Sequence, residues 1–176
     1  MILIRHGQSE FNAAFDRTGL DPGIADPRLT PRGQEQARRT AHRIQRDGLP
    51  IRRILSSPFT RALETAAILA EALKLPIEVE PIVHEHACWS CDVGTPISAL
   101  AERWPALDFS HVEEIWWPED ERHDAVRRRC TAFRSKAASL SDWRHVGVVS
   151  HWGFIRALTG HDARNAEVVP FDPTRP

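Results

Sequence analysis

Met1-Ile2-Leu3-Ile4-Arg5-His6-Gly7 and Val146-Gly147-Val148-Val149-Ser150-His151-Trp152-Gly153 decide the fold. Each is a run of buried-strand residues ending in a histidine, with glycine next or one residue further on. Short continuous apolar runs bounded by turn residues read as strands buried on both faces. Open α/β sheets build their sites where the carboxyl ends of such strands meet loops. If these two strands are neighbours, His6 and His151 face each other across one pocket with Arg5 beside them. A guanidinium repels a metal cation and binds phosphate in bidentate fashion. The pairing therefore points to a phosphate cage and to phosphoryl transfer through a histidine nucleophile.

A third apolar run, residues 51–56, leads into Ser57-Pro58-Phe59-Thr60-Arg61 and reads as strand, cap and helix. Ser57 is the expected N-cap and Pro58 the first helical residue, which puts Arg61 in the opening turn. Free N–H groups and partial positive charge at a helix start favour an anion there, and an arginine adds to both.

Strand and helix signals alternate along most of the remaining chain. Thr30 is expected to cap a helix from Pro31 that buries Ala37, Ala41 and Ile44 and stops at Asp47-Gly48. The helix from Pro58 buries Ala62, Ala66, Leu69 and Leu73. Residues 77–80 alternate like a half-buried or edge strand, and Pro81 argues against a central place in the sheet. Thr95-Pro96 repeats the cap-then-proline device before a short helix through Ala101. A long helix around residues 124–140 precedes the strand at Val146. This order predicts an α/β fold, a three-layer α/β/α sandwich with a mostly parallel central sheet. Residues 1–169 are expected to form one domain and residues 170–176 a frayed C-terminal tail.

A formal net charge of −1 over 176 residues argues against a nucleic-acid protein, whose footprint is strongly basic. No apolar run has the length of a membrane span. The first strand starts at Met1, which leaves no room for a signal peptide, and three cysteines are an odd count. The expectation is a cytoplasmic protein with reduced thiols, no membrane partner and an open oligomeric state.

Residues 3–12 (LIRHGQSEFN), 29–37 (LTPRGQEQA), 56–66 (SSPFTRALETA) and 148–153 (VVSHWG) resemble, in that order, the motifs of the histidine phosphatase superfamily, the phosphoglycerate mutase-like proteins. The resemblance implies His6 as covalent nucleophile, with Arg5, Arg61, His151 and Asn12 on the phosphate. It implies Glu85 as general acid, because residues 81–85 resemble the family's strand ending in a catalytic glutamate. It also implies a small phosphorylated metabolite as substrate and no cofactor. Thr18, Gly19, His86 and Trp152 are expected to line the substrate pocket. Trp152 stands where the family often has glycine, and its indole narrows that wall.

Two segments stay open. His84, His86, Cys88 and Cys91 hold the soft ligands zinc prefers, and the first three would share a face if their segment were a strand. The same residues equally suit a pocket wall of buried thiols. Trp116-Trp117 fits core packing or the pocket mouth. The run Arg127-Arg128-Arg129 reads as a solvated helix face. The favoured function is a metal-independent phosphomonoesterase. A mutase on the same residues, a phosphohistidine-protein phosphatase and a non-catalytic phospho-ligand module are the alternatives. Mutases of this type carry insertions over the site, and this chain is short between Glu85 and Asp124.

Overall fold

The computed structural model describes residues 1–175. In chain order these form β1 (Ile2–Arg5), α1 (Glu10–Thr18), α2 (Pro31–Arg46), β2 (Arg53–Ser56), α3 (Thr60–Leu73), β3 (Ile77–Val79), α4 (Ile97–Arg103), α5 (His123–Ser139), β4 (Val146–Ser150), α6 (Trp152–Thr159) and β5 (Val168–Pro170). The strands make one sheet in the order β3-β2-β4-β1-β5. All neighbours are parallel except β1 and β5. β3 sits at an edge, as Pro81 suggested.

Alternation along each strand splits the core between the two faces of the sheet. Leu3, Leu55, Val146 and Val148 point one way, onto Val126, Cys130 and Phe133 of α5 and Phe154, Ile155 and Leu158 of α6. Ile2, Ile4, Ile54 and Val149 point the other way, onto Ala41 and Ile44 of α2 and Ala62, Ala66 and Leu69 of α3. The result is the expected three-layer sandwich. A third apolar cluster joins Phe59 and Leu63 to Ile97, Leu100, Phe109 and Trp116. No helix among the described residues is long and apolar enough to cross a membrane.

α2 starts as read, with the Thr30 hydroxyl accepting from Gly33 N–H at 3.0 Å. α3 does not. It begins at Thr60, two residues later than expected, because the Ser57 hydroxyl is bonded to His151 Nε2 at 2.7 Å. The Asp26 carboxylate serves that helix start instead, accepting from Thr60 N–H at 2.8 Å and from the Thr60 hydroxyl at 2.6 Å. Thr95 also donates to Asp26 (2.5 Å), so α4 has no side-chain cap. The segment expected as a strand ending at Glu85 is a single 3-10 turn over Pro81–Val83, followed by irregular chain.

The frayed tail is corrected at its start. Pro170 closes β5 against Ile2, Phe171 N–H donates to Met1 O at 3.0 Å, and the Phe171 ring stacks near Phe133 in the core. Burial of the Phe171 ring offsets part of the entropy lost in ordering this segment.

The loop after β1 is held by backbone contact. A Cβ on Gly33 would lie 2.1 Å from Gln8 O, and one on Gly7 would lie 2.4 Å from Gly33 O. The close approach at Gly7 is thus to α2. Neither clash can be relieved by a side-chain rotation. Gly33→Ala should therefore destabilise the fold by about 1–3 kcal/mol in urea unfolding. An alanine variant as stable as wild type would contradict this packing.

Candidate active site

Parallel pairing of β1 with β4 sets Arg5 opposite Ser150, and His6 N–H donates to Ser150 O at 2.9 Å. The next residue on each strand is a histidine, so the two imidazoles meet with ring centroids 5.1 Å apart. His6 Nδ1 lies 2.7 Å from Gly7 O. A carbonyl can only accept, so Nδ1 carries the proton and Nε2 keeps its lone pair. Burial, then the charges of Arg61 and Arg5, hold the His6 pKa well below the usual imidazole value.

A cavity of about 390 Å³ opens over His6. Of the predicted residues, Arg5, His6, Asn12, Arg61, Glu85, His86 and Trp152 line it. The Asn12 amide oxygen accepts from Ser9 N–H (3.1 Å) and from the Asn165 amide (3.2 Å), which leaves its NH2 as the group to offer an anion. Arg5 Nη1 donates to Ala163 O at 2.9 Å, while its Nε is buried without a partner. His151 sits beside His6 but off the cavity wall, with Nε2 spent on Ser57 and Nδ1 buried without a partner. Burial and the Arg61 charge also hold its pKa well below normal.

Thr18 and Gly19 are not in the cavity. α1 carries them to the surface, where the Thr18 hydroxyl donates back to Ala14 O and Gly19 ends the helix at φ 69°. The inward side of α1 instead presents Phe11, Phe15 and Asp16. Helical spacing from Phe11 to Phe15 was the available signal for them. Trp116 and Trp117 pack away from the cavity: a Cβ on Gly94 would meet their rings at 2.7 and 2.6 Å, and Trp116 lies edge-on to Phe59.

Two carboxylates that the sequence did not single out organise the site. Asp92 accepts from Arg61 Nη2 at 3.1 Å in an ion pair with both side chains almost fully buried. Its other oxygen accepts from Cys88 and Trp89 N–H, and Arg61 Nη1 donates to Cys91 O at 2.7 Å. Glu121 pairs with Arg129 through both oxygens, at 3.0 and 2.6 Å. Arg129 also donates to the carbonyls of Ile82, His84 and Glu85. Arg129 is thus not part of a solvated face; it clamps the chain leading into the site.

Glu85 rests against the start of α6. Its Oε1 accepts from His86 N–H (2.8 Å) and Phe154 N–H (3.2 Å), and a Cβ on Gly153 would lie 2.5 Å from that oxygen. Burial, then the Asp92 charge, push the Glu85 pKa up, against the pull of Arg61. A raised pKa favours the protonated carboxyl, the form that can donate a proton.

His84, His86, Cys88 and Cys91 do not converge, and no group of three or more His, Cys, Asp or Glu among the described residues is placed to hold a metal ion. His84 Nδ1 donates to Glu85 O and His86 Nε2 to Glu121 O. Burial raises the Cys88 thiol to about 11 and lifts Cys91 further.

Residues 1–167 match the model of the histidine phosphatase superfamily, branch 1. The chain is 33% identical over 163 residues to phosphoserine phosphatase 1 of Hydrogenobacter thermophilus, covering 90% of this chain and 73% of that protein. It is also 33% identical over 116 residues to a "Probable phosphatase" of Schizosaccharomyces pombe, covering 64% of this chain and 52% of the relative. The chain thus spans about half the length of that second protein. Among solved structures it superposes on a mycobacterial glucosyl-3-phosphoglycerate phosphatase complexed with VO3. The TM-score is 0.66 at 21% identity, over 96% of this chain and 88% of that one, a likeness of fold.

The buried imidazoles set a pH dependence of stability. His6 and His151 titrate well below normal and His84 at about 4, the last through burial and Arg129. Below about pH 6.5 the unfolded chain takes up protons there that the folded chain does not, so stability falls as pH falls. Glu85, with its raised pKa, opposes this with one proton against three. Unfolding free energy from urea titrations should drop between pH 7 and pH 5, by up to about 1.4 kcal/mol per pH unit for each unopposed histidine. A flat profile would mean that these rings are protonated in the native protein.

Proposed function

The chain belongs to the histidine phosphatase superfamily, and we propose that it is a metal-independent phosphomonoester hydrolase working through a phosphohistidine on His6. One observation carries this reading. An imidazole with Nδ1–H fixed on a carbonyl, kept neutral between two arginines, shares a cavity with a carboxyl of raised pKa. The phosphatases it resembles support the reaction class.

In the first half-reaction His6 Nε2 attacks phosphorus, the ester P–O bond breaks, and Glu85 gives its proton to the leaving oxygen. Arg5 and Arg61 hold the equatorial oxygens as charge builds on them, with the Asn12 amide as a further donor. In the second, Glu85 as carboxylate takes a proton from water as that water attacks the phosphohistidine. The P–N bond breaks, phosphate leaves, and both groups return to their starting protonation states. The positive charge the reaction needs comes from guanidinium groups, so no step calls for a metal. His151, off the cavity wall with Nε2 on Ser57 and Nδ1 unpartnered, buttresses His6.

Hydrolysis is favoured over mutase chemistry by the charges on the cavity wall. A mutase must retain a bisphosphorylated intermediate. Beyond Arg5 and Arg61 the wall brings no further arginine or lysine, and it carries Asp16 and Asp92.

His6→Ala should cut turnover of an aryl phosphate by more than about a thousandfold, since no other group here can replace the nucleophile. Acid-labile phosphate trapped on the wild-type chain by rapid quench should be missing from the variant. An active His6→Ala enzyme would refute the covalent route.

Glu85→Gln should slow alkyl phosphates about a hundredfold to ten-thousandfold. Phosphorylation by aryl phosphates, whose leaving groups need no proton, should slow much less, so phosphoenzyme accumulates. With alkyl substrates kcat/KM should fall on the acid side as His6 protonates and on the alkaline side as Glu85 ionises. Equal slowing with both substrate types would leave Glu85 a positioning role only.

A further inference from the structure

Above the phosphate-sized floor of the cavity, the walls are aromatic. Phe11 and Phe15 stack with centroids 5.6 Å apart and 11° between their planes. Trp89 meets Phe15 edge-on at 5.4 Å. Phe11 is buried and supports the other two, while Trp89 is 48% exposed and Phe15 partly so. Trp152 lines another part of the cavity, its indole N–H bonded to Asp162 and its ring covered by the Arg156 guanidinium at 5.0 Å. These rings are held in place before any ligand arrives, and several present area to the opening.

The charges there complete the picture. Arg61 is already paired with Asp92. Asp16 lies on the wall near Arg5, one residue beyond Phe15. His86 has Nε2 committed to the Glu121 carbonyl. A phosphate dianion therefore uses the positive charge of Arg5 and Arg61, and a second anionic group seated by Phe15 would meet Asp16, with Arg156 engaged over Trp152 on another part of the wall. A carboxylate or second phosphate left unpaired there is costly, whereas a neutral flat ring gains from stacking.

We infer that the substrate is a phosphate monoester of an arylalkyl or polycyclic alcohol with no second anionic group, its ring system seated against Phe15 and Trp89. This rests on the hydrolase reading above and goes further by naming what the ester must carry. A cavity of about 390 Å³ holds a phosphate and one or two fused rings.

The test uses esters whose leaving groups are all alkyl alcohols, so that leaving-group acidity does not decide the order. These are 2-(1-naphthyl)ethyl phosphate, ethyl phosphate, phosphoserine and 3-phosphoglycerate. The naphthylethyl ester should have the highest kcat/KM, by about tenfold or more over ethyl phosphate and more over 3-phosphoglycerate. In Trp89→Ala and Phe15→Leu the naphthylethyl-to-ethyl ratio should fall about tenfold and severalfold respectively, with unchanged thermal unfolding showing that the fold is kept. Asp16→Asn should raise kcat/KM for 3-phosphoglycerate severalfold relative to ethyl phosphate. A preference for phosphoserine or 3-phosphoglycerate, or ratios unmoved in folded variants, overturns this inference and leaves the hydrolase reading standing. No release of phosphate from any of the four, nor from an aryl phosphate, overturns both.

Discussion

The parallel pairing of β1 with β4 is the constraint on which the site depends. The side-chain period of a strand is two, so a slip of one residue would turn every side chain to the opposite face. Here Leu3 and Val148 share one face, Ile4 and Val149 the other, and each set has its own helices to pack against. The core thereby fixes the register, and the register places His6 beside His151 at the sheet's carboxyl edge. Imidazole geometry is inherited from hydrophobic packing, with the His6 N–H bond to Ser150 O as the last rung of that ladder.

Around this rigid pair the structure spends buried charge. Removing two ions from water costs several kcal/mol each, and a pair recovers this only with good geometry and further hydrogen bonds. Both buried pairs here meet that condition. Asp92 answers Arg61 and two backbone N–H groups, and Glu121 answers Arg129, which also reaches three carbonyls. What they hold is chain with no ladder to fix it, residues 82–92, irregular except at two 3-10 turns. An arginine pinned in this way keeps its orientation without a bound anion, so less reorganisation is left for the reaction.

Much of this was legible in the sequence because it is local. Apolar runs, Thr30 before Pro31, and a histidine at each strand end are signals carried by neighbouring residues, and the sheet and the places of Arg5, His6 and Arg61 followed from them. Asn12 and Glu85 came instead from the family resemblance. What escaped depends on contacts distant in sequence. The start of α3 is set by Asp26, 34 residues away, and by His151 drawing off Ser57. The clamp on Glu85 comes from Arg129, one of three consecutive arginines whose other two face solvent. Asp92 carries no local signal of its role, because only the fold brings Arg61, 31 residues away, against it. Thr18 and Gly19 were misplaced because one turn of α1 separates the inward Phe15 from the exposed helix end.

The cysteines give the site one further property. Thiols react with oxidants and electrophiles as thiolates. Burial raises the pKa of Cys91 on the cavity wall and of Cys130 in the core, the latter to about 11, while the exposed Cys88 is raised to about 11 by partial desolvation and the Asp92 charge. Sulfur therefore stands next to the nucleophile without competing with it. The proposed catalyst is a nitrogen base, and the raised thiol pKa values disfavour the thiolate form through which the sulfenic and sulfinic oxidation series begins. On the proposed mechanism the reacting electron pair stays on nitrogen, and these thiols take no part in it.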